Sequence, residues 1–388
     1  MFSHLRLVAC VLFVFATRLS ADEMGNVPKE IVSHEFPFNK DSFHVKLPVE
    51  IGGQRLPFIV DTGSTHAVFD ESLKPLLGSR VREEEAYIST KITKVEIFQA
   101  PQANWGPIKL NRDAVVTVHD FSRANRAHRD DIGGIIGMSD MKTTRVQFDF
   151  DTAKLRILSQ LGPDLGSSIR MQIPDRPFVE CSVGRIPGAE FLIDTGAGSI
   201  RLKRKIFDTL RSHGRIRSVG RIPEGNGFGE LTFVTTGRLC DFSIGDLEFK
   251  NLLVKRSEDN RIGLIGLRFL SRFVTTFDFP NSVMYLKKGA RFDEPDVEGI
   301  QGFGVFFIGD ELKVVCVDDD GPADKAGLKV NDVIEQIDGK DFSGKTLFQI
   351  NCSLEKPGQT LRLRIRRGDD TQIITISIPE PPARFEVD

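Results

Sequence analysis

The sequence predicts a mainly β protein of two similar lobes, followed by a smaller domain with mixed α/β structure. The tripeptide Asp-Thr-Gly occurs twice, at residues 61–63 and 194–196, and each copy follows an apolar run typical of a strand. Further landmarks repeat at nearly the same distance along the chain. After Lys288 a charged connector, Arg291–Glu298, leads into a new series of strands and turns. We therefore expect a duplicated domain and a separate C-terminal module.

The N-terminus has the pattern of a secretory signal peptide. Arg6 precedes an apolar run of ten residues, Leu7–Ala16, and Leu19-Ser20-Ala21 follows it. This pattern predicts cleavage after Ala21 and export to the periplasm or the extracellular space. Ten apolar residues are too few to span a bilayer, so we expect no stable membrane span after cleavage, although an uncleaved anchor is the alternative. We expect these segments: a signal peptide at 1–21, a leader at 22–40, lobe 1 at 41–160, lobe 2 at 168–290, the C-terminal domain at 300–380 and a tail at 381–388.

The repeat extends beyond the two tripeptides. Before each one, the residues predict a strand, a Gly-rich turn and a second strand that ends at the aspartate. Downstream, Gly134–Gly137 matches Gly263–Gly266, and Phe148–Phe150 matches Phe277–Phe279. The offsets between matched landmarks are 133, 129 and 129 residues. A nearly constant offset indicates tandem duplication of a domain of that size.

Residues 43–288 resemble the aspartic peptidases, and the retropepsin-like bacterial members more than pepsin. The resemblance rests on the two Asp-Thr-Gly turns and on the later apolar-apolar-Gly segment in each lobe. It implies a bilobal double β-barrel fold in which Asp61 and Asp194 form a catalytic dyad. Two carboxylates held close together cannot both ionise cheaply, so they share one proton. Since one chain supplies both lobes, dimerisation is not needed to build the site, and a monomer is compatible with this arrangement.

The resemblance also assigns roles to the residues that follow each aspartate. Thr62 and Thr195 are expected to brace the two turns through hydroxyl-to-backbone hydrogen bonds. Gly63 and Gly196 are expected to let backbone N–H groups approach the carboxylates.

The next residue differs between the two turns, with Ser64 in lobe 1 and Ala197 in lobe 2. In pepsin-like relatives both positions carry a hydroxyl that donates to the outer carboxylate oxygen, and such a bond lowers the pKa of the pair. Because Ala197 cannot donate, we hypothesise a mildly acidic to near-neutral activity optimum.

A substrate cleft in this family is covered by flaps. In lobe 2, Gly225–Gly229 predicts a mobile hairpin tip between two strands. In lobe 1, the flap is expected within Glu84–Trp105, where Tyr87 and Trp105 are candidates to line the cleft, with an ordinary surface loop as the alternative for either aromatic residue.

The residues after the connector resemble a bacterial-type PDZ domain over 302–379. The resemblance rests on the series Gly-Pro-Ala at 321–323, Ala-Gly-Leu at 326–328 and Asp-Val-Ile at 332–334, with a helix expected near 344–354. It implies that backbone N–H groups of Phe303, Gly304 and Val305 bind the C-terminal carboxylate of a peptide, which adds as a strand. Asn331 stands where the family has Gly, and Asn tolerates a left-handed turn. A packing module that binds no free peptide end is the alternative.

Four cysteines remain after the signal segment, namely Cys181, Cys240, Cys316 and Cys352. Export permits disulfides, and buried free thiols are the equally weighted alternative. The sequence has neither Cys-x-x-Cys nor His-Glu-x-x-His, so we expect no metal and no cofactor.

Composition and the remaining motifs exclude several other functions. The formal net charge is −2, so no global field attracts nucleic acid or an acidic membrane. The nucleophile motif Gly-x-Ser-x-Gly is missing, and His66 is expected to be an exposed or satisfied polar residue beyond the catalytic turn. The basic stretches at Arg201–Lys205 and Arg366-Arg367 are expected to be solvated faces.

Three functional hypotheses follow from the sequence. The first is an exported aspartic endopeptidase, acting on peptides or proteins, whose PDZ domain selects substrates or gates the cleft. The second is a catalytically silent scaffold that binds peptides. The third is a processing peptidase for one dedicated partner, with the PDZ domain as a docking arm. A proteome-wide cleavage profile separates the first from the third.

Overall fold

A computed structural model describes residues 30–380, apart from residues 89–90, 107, 111–113, 226–228, 259 and 297. The predicted signal peptide and tail lie outside the described residues. Within the described part, no helix has both the length and the apolar character needed to cross a membrane. Strands dominate throughout, which confirms the mainly β prediction.

In the first half of the chain, strands alternate with turns at intervals of a few residues, and the helices are short. The strands are β1 (Ile31–Pro37), β2 (Lys46–Ile51), β3 (Gln54–Val60), β4 (Val68–Asp70), β5 (Arg80–Ile88), β6 (Lys91–Gln99), β7 (Ala103–Trp105), β8 (Ile108–Lys109), β9 (Val115–His119), β10 (Gly134–Ile136), β11 (Arg145–Asp149) and β12 (Lys154–Gln160). The helices are a 3-10 helix at Glu71–Leu76, α1 (Ser122–His128) and α2 (Met138–Met141).

The second half repeats much of this order. Its strands are β13 (Ser167–Arg170), β14 (Phe178–Val183), β15 (Ile186–Ile193), β16 (Ile200–Leu202), β17 (Ile216–Gly225), β18 (Leu231–Ile244), β19 (Leu247–Arg256), β20 (Gly263–Ile265), β21 (Phe273–Asp278) and β22 (Val283–Lys288). Its helices are α3 (Arg204–Ser212), α4 (Leu267–Leu270) and a 3-10 helix at Phe279–Asn281.

Each half has a sheet of its own, and the two halves share a third. The first sheet has nine strands in the order β5-β6-β9-β4-β10-β3-β2-β7-β8. The second has seven in the order β14-β15-β20-β16-β19-β18-β17, and an extra pairing of β14 with β18 closes six of them into a barrel. The shared sheet has the order β1-β12-β11-β21-β22-β13, so equivalent strands from both halves meet at its centre. One continuous apolar core joins both halves.

The segment predicted as a leader contributes to this shared sheet. Residues Ile31–Pro37 form β1, which pairs antiparallel with β12 at the sheet edge. At the centre, Gln147 of β11 donates from its amide to the hydroxyl of Thr276 of β21 at 3.1 Å. These two residues are 129 apart, which is the offset of the sequence repeat.

The C-terminal domain has a five-stranded antiparallel sheet with its own apolar core. Its elements are β23 (Phe303–Ile308), β24 (Glu311–Val317), α5 (Pro322–Lys325), β25 (Val333–Ile337), α6 (Leu347–Leu354), β26 (Thr360–Arg367) and β27 (Asp370–Ser377). Helix α6 begins with a capping box between Thr346 and Gln349, in the region where the sequence predicted a helix. Asn331 adopts a φ of 74°, the left-handed conformation that the sequence predicted there.

Candidate active site

The two aspartates stand at equivalent ends of two strands. Strand β3 ends at Val60 and β15 ends at Ile193, and each pairs in parallel with a short apolar strand from the later part of its own half. The N–H of Asp61 donates to the carbonyl of Ile136 at 3.0 Å, and the N–H of Asp194 donates to that of Ile265 at 3.0 Å. The apolar-apolar-Gly segments therefore hold the backbone of both aspartate turns.

The two turns face each other closely enough that only glycine fits at the third position of each. A Cβ atom on Gly63 would lie 2.5 Å from the Cγ of Asp194, and one on Gly196 would lie 2.5 Å from the Cγ of Asp61. The two carboxyl groups hydrogen-bond to each other. The structure thus brings together side chains that are 133 residues apart in sequence.

Two buried threonines brace the turns across the junction of the halves. The N–H of Thr62 donates to the hydroxyl of Thr195 at 3.0 Å, and the N–H of Thr195 donates to that of Thr62 at 3.1 Å. Each hydroxyl also donates to the opposite half, from Thr62 to the carbonyl of Ile193 at 2.6 Å and from Thr195 to that of Val60 at 2.7 Å. Four hydrogen bonds therefore fix the separation of the two aspartates.

The environment of the pair disfavours two negative charges. Burial and the charge of Asp194 raise the pKa of Asp61 well above its ordinary value. Burial also raises the pKa of Asp194, against the lowering effects of its hydrogen bonds with Asp61 and with backbone N–H groups. Within each turn, the N–H of Gly63 donates to Asp61 at 2.7 Å and that of Gly196 donates to Asp194 at 2.9 Å. The site therefore favours one shared proton over full ionisation.

The residue after each turn gives neither carboxylate a hydroxyl donor. The hydroxyl of Ser64 donates to the backbone carbonyl of His66 at 2.7 Å instead of to Asp61. Ala197 has no hydroxyl, so its contribution to lowering the pKa of Asp194 comes from its backbone N–H alone. His66 lines the cavity above the two aspartates, and its Nδ1 is buried without a hydrogen-bond partner among the described residues. The expectation that His66 is exposed or hydrogen-bonded is therefore not met at this atom.

A cavity of about 1340 Å³ opens above the carboxylates and extends to the C-terminal domain. Its wall in the first half includes the apolar residues Ile59, Val68 and Ile135 beside polar and charged side chains. Its wall in the second half includes Arg201 and Glu224. A cavity of this size accommodates a peptide segment.

The two walls differ at one equivalent position. Val68 pairs with Ile135, and Arg201 pairs with Leu264, so Val68 and Arg201 occupy matching places in the two halves. Arg201 forms an ion pair with Glu224 at 2.5 Å, and Glu224 also binds Lys255 at 3.0 Å. The prediction of a solvated basic face at Arg201 was therefore wrong, because its partner Glu224 comes from the distant strand β17 and draws the guanidinium into the cavity.

The predicted flap regions form two hairpins. Strands β5 and β6 pair along Arg80–Ile88 and Lys91–Gln99, and Glu84–Ala86 line the cavity. Tyr87 lies in β5, and its side chain lies outside the described residues. Trp105 does not line the cleft as predicted. It is 0% exposed, because it pairs with Val49 in the core of the first half.

The second hairpin joins β17 and β18. The tip predicted at Gly225–Gly229 is described only at its two ends, since residues 226–228 lie outside the described part. Pro223, Glu224 and Leu231 beside the tip line the cavity, so this hairpin reaches over the aspartates from the second half.

The residues predicted to bind a peptide carboxylate lie on the edge strand β23, against the two halves. Phe303 is 0% exposed and Val305 is 2% exposed. A Cβ atom on Gly304 would lie 2.7 Å from Leu231 and 3.0 Å from Pro223. Peptide binding by Phe303, Gly304 and Val305 stays a prediction, and a ligand would have to displace the hairpin residues that cover Gly304.

The four cysteines of the described part are free thiols. Burial raises the pKa of Cys181 to about 12 and that of Cys316 to about 11, so neither thiol is activated as a nucleophile. Among the described residues, no group of three or more His, Cys, Asp or Glu side chains is arranged to hold a metal ion.

Comparisons with known proteins agree with this division of the chain. The family model described as aspartyl protease matches residues 47–139, and the one described as PDZ domain matches residues 293–378. A probable CtpA-like serine protease of Staphylococcus haemolyticus is 41% identical over 58 residues, which are 15% of this chain and 12% of that protein. A second protein of that name, from Staphylococcus saprophyticus, is 29% identical over 116 residues, which are 29% of this chain and 24% of that protein. The chain thus covers less than a quarter of the length of these relatives. It contains an aspartyl protease domain and a C-terminal PDZ domain.

Proposed function

We propose that this protein is an aspartic endopeptidase in which Asp61 and Asp194 form the catalytic dyad. In the monoprotonated pair, the ionised carboxylate takes a proton from a water molecule, which attacks the carbonyl carbon of the peptide bond. The protonated carboxyl polarises the carbonyl oxygen by donating a hydrogen bond to it. The proton then passes to the amine that leaves, and neither a metal nor a covalent intermediate is required.

One observation carries this proposal. The two Asp-Thr-Gly turns approach so closely that each glycine lies against the opposite carboxyl group, and two crossed threonines hold them there. Ordinary turn aspartates have no reason to be brought into mutual hydrogen bonding inside a low-dielectric site, because this raises the free energy of their ionised forms. Such an arrangement is typical of functional carboxyl pairs.

The proposal includes export and polypeptide substrates. The N-terminal signal pattern supports export, and the large cavity with hairpins on both sides supports extended peptides as substrates. Both halves of the site come from one chain, which supports a monomeric enzyme. The retropepsin-like bilobal arrangement is supported by the offset of the repeat and by the shared sheet.

The relatives named serine proteases favour a second candidate, a serine peptidase that uses the same PDZ domain. The sequence offers no Gly-x-Ser-x-Gly motif, and the hydroxyl of Ser64 is already a donor to the carbonyl of His66. The aspartates explain the site without a serine nucleophile, so we favour the aspartic mechanism. A silent peptide-binding scaffold and a dedicated processing peptidase are two further candidates.

The test is cleavage of a broad peptide library by the mature protein from pH 3 to pH 8, compared with Asp61→Asn and Asp194→Asn. We expect each variant to fold and to lose activity at least about 1,000-fold, since both carboxyl groups are needed to share the proton. Cleavage that persists in both variants and is blocked by a serine-directed covalent inhibitor would establish the serine peptidase. No cleavage by the folded wild type at any pH would favour the scaffold, and cleavage of a single sequence the dedicated processing enzyme.

A further inference from the structure

The segment that leads into β2, Asp41–Val45, lies between the catalytic turns and the PDZ domain. We call it the lead-in segment. Its residues Ser42–Val45 line the cavity that also contains Asp61 and Asp194. Its equivalent in the second half precedes β14, because Val60 donates to the carbonyl of Val45 and Ile193 donates to that of Pro177.

Residues at matching places in these two segments contact the catalytic turn of the opposite half. Arg176, one residue before Pro177, donates from its guanidinium to the carbonyl of Gly63 at 3.4 Å. His44, one residue before Val45, lines the cavity together with Gly196, and the Gly196 backbone favours the protonated His44 ring against the effect of burial on its pKa. The same kind of contact therefore occurs on both sides of the site, with different side chains.

The PDZ domain holds the lead-in segment from the other side. The ring of Phe43 packs edge-on against Phe348 of α6, with 5.1 Å between centroids. On the same helix, the amide of Gln349 donates to the carboxylate of Asp41 at 2.8 Å. Phe43 thus lies in the groove between β23 and α6, where the resemblance would place a peptide ligand.

Helix α1 of the first half also packs against this groove. Ala127 belongs to the apolar core of the PDZ domain, and the ring of His128 contacts both Phe43 and Phe306 at centroid distances of 5.3 and 5.4 Å. The guanidinium of Arg129 lies 3.7 Å above the ring of Phe307. Residues of the same chain therefore occupy part of the groove of the PDZ domain, and the rest of the groove opens onto the cavity.

We propose that His44 is a positioning residue for the second catalytic turn, and that the PDZ domain keeps it in place by holding its neighbour Phe43. The proposal rests on the proposed function, because it assigns the PDZ domain a role at that site. The PDZ domain then acts as a support of the active enzyme. A peptide that competes for the groove releases the lead-in segment and lowers activity.

The kinetic test compares His44→Leu, which loses the ring N–H, with His44→Gln, whose amide can still donate. We expect His44→Leu to lower kcat about 10- to 100-fold with little change in KM, because a small displacement of a catalytic group costs this much. His44→Gln should recover most of the loss, and exposed His213→Gln should match the wild type. Equal rates for His44→Leu and wild type would overturn the proposal.

The link to the PDZ domain is tested by Phe43→Ala alone and combined with His44→Leu. If Phe43 acts through His44, the double variant is no slower than His44→Leu. Losses that multiply would show that Phe43 acts independently and would refute the link.

A readout that does not need activity is hydrogen exchange of the lead-in segment. Gln349→Glu keeps the capping box of α6, but it places a carboxylate beside Asp41. We expect this variant to speed exchange at residues 41–45 at least about tenfold, and Asp41→Asn in the same background to restore protection. Unchanged exchange in Gln349→Glu would overturn the proposed attachment even if the wild type cleaves nothing. Rapid exchange in the variant with no activity in the wild type would instead refute the proposed function alone.

Discussion

The crossed threonines give a prediction whose size follows from the structure. Replacing Thr62 by Val keeps the shape of the side chain but removes its hydroxyl. Two hydrogen bonds are lost, the one donated to the carbonyl of Ile193 and the one accepted from the N–H of Thr195. Both partners stay buried without a replacement. At about 1–3 kcal/mol for each unsatisfied group, we expect Thr62→Val to lower the free energy of unfolding by about 2–6 kcal/mol.

The assay is equilibrium unfolding in urea, followed by the fluorescence of Trp105, the one tryptophan of the chain. Thr62→Ser is the matched control, since it retains the hydroxyl and loses only a methyl group, for about 1 kcal/mol. Thr195→Val should cost as much as Thr62→Val, because it removes the two equivalent bonds. A loss below about 1 kcal/mol in Thr62→Val, equal to that in Thr62→Ser, would refute the argument that these bonds hold the two halves together.

Three other predictions concern the catalytic turns themselves. Gly63→Ala should abolish cleavage in a protein that still folds, because the added Cβ would lie 2.5 Å from the Cγ of Asp194; activity within tenfold of wild type would contradict this. The raised pKa values mean that the folded state binds protons more tightly than the unfolded state, so stability is lost as pH rises from about 4 through the pKa of the folded pair. Asp61→Asn should therefore be more stable than wild type at pH 7, by about 1.4 kcal/mol for each tenfold difference in proton affinity between the folded and unfolded states. An equal or lower melting temperature of the variant would argue against the raised pKa values of the pair. Because the pKa values of the pair are raised, the activity optimum should be mildly acidic to near neutral. A wild-type optimum near pH 3 in the pH–rate profile would contradict the raised pKa values.

The sequence predicted the parts of the fold that depend on local pattern and on the repeat. The strands that end at Asp61 and Asp194 follow from short apolar runs before a Gly-containing turn, and the constant offset related the halves. The crossed threonines could be expected only from the resemblance, since no spacing rule shows that two turns 133 residues apart face each other.

Contacts between distant segments could not be predicted in this way. Arg201 seemed solvated because its partner Glu224 lies on another strand, and a charge run alone does not show an ion pair. Trp105 seemed suited to a cleft because aromatic residues serve both cores and binding sites. Phe43 gave no signal at all, since one aromatic residue in a polar stretch does not show that a domain 260 residues later has a groove for it.

The difference between Val68 and Arg201 bears on the direction in which a polypeptide strand would bind. A site assembled from two identical chains presents the same side chain twice, so a bound strand meets equal surroundings whichever way it runs. Here a valine faces one side and an ion-paired arginine faces the other. Because the two halves of one chain differ in sequence, the site is not symmetric, and a strand bound in one direction would meet different side chains from a strand bound in the other.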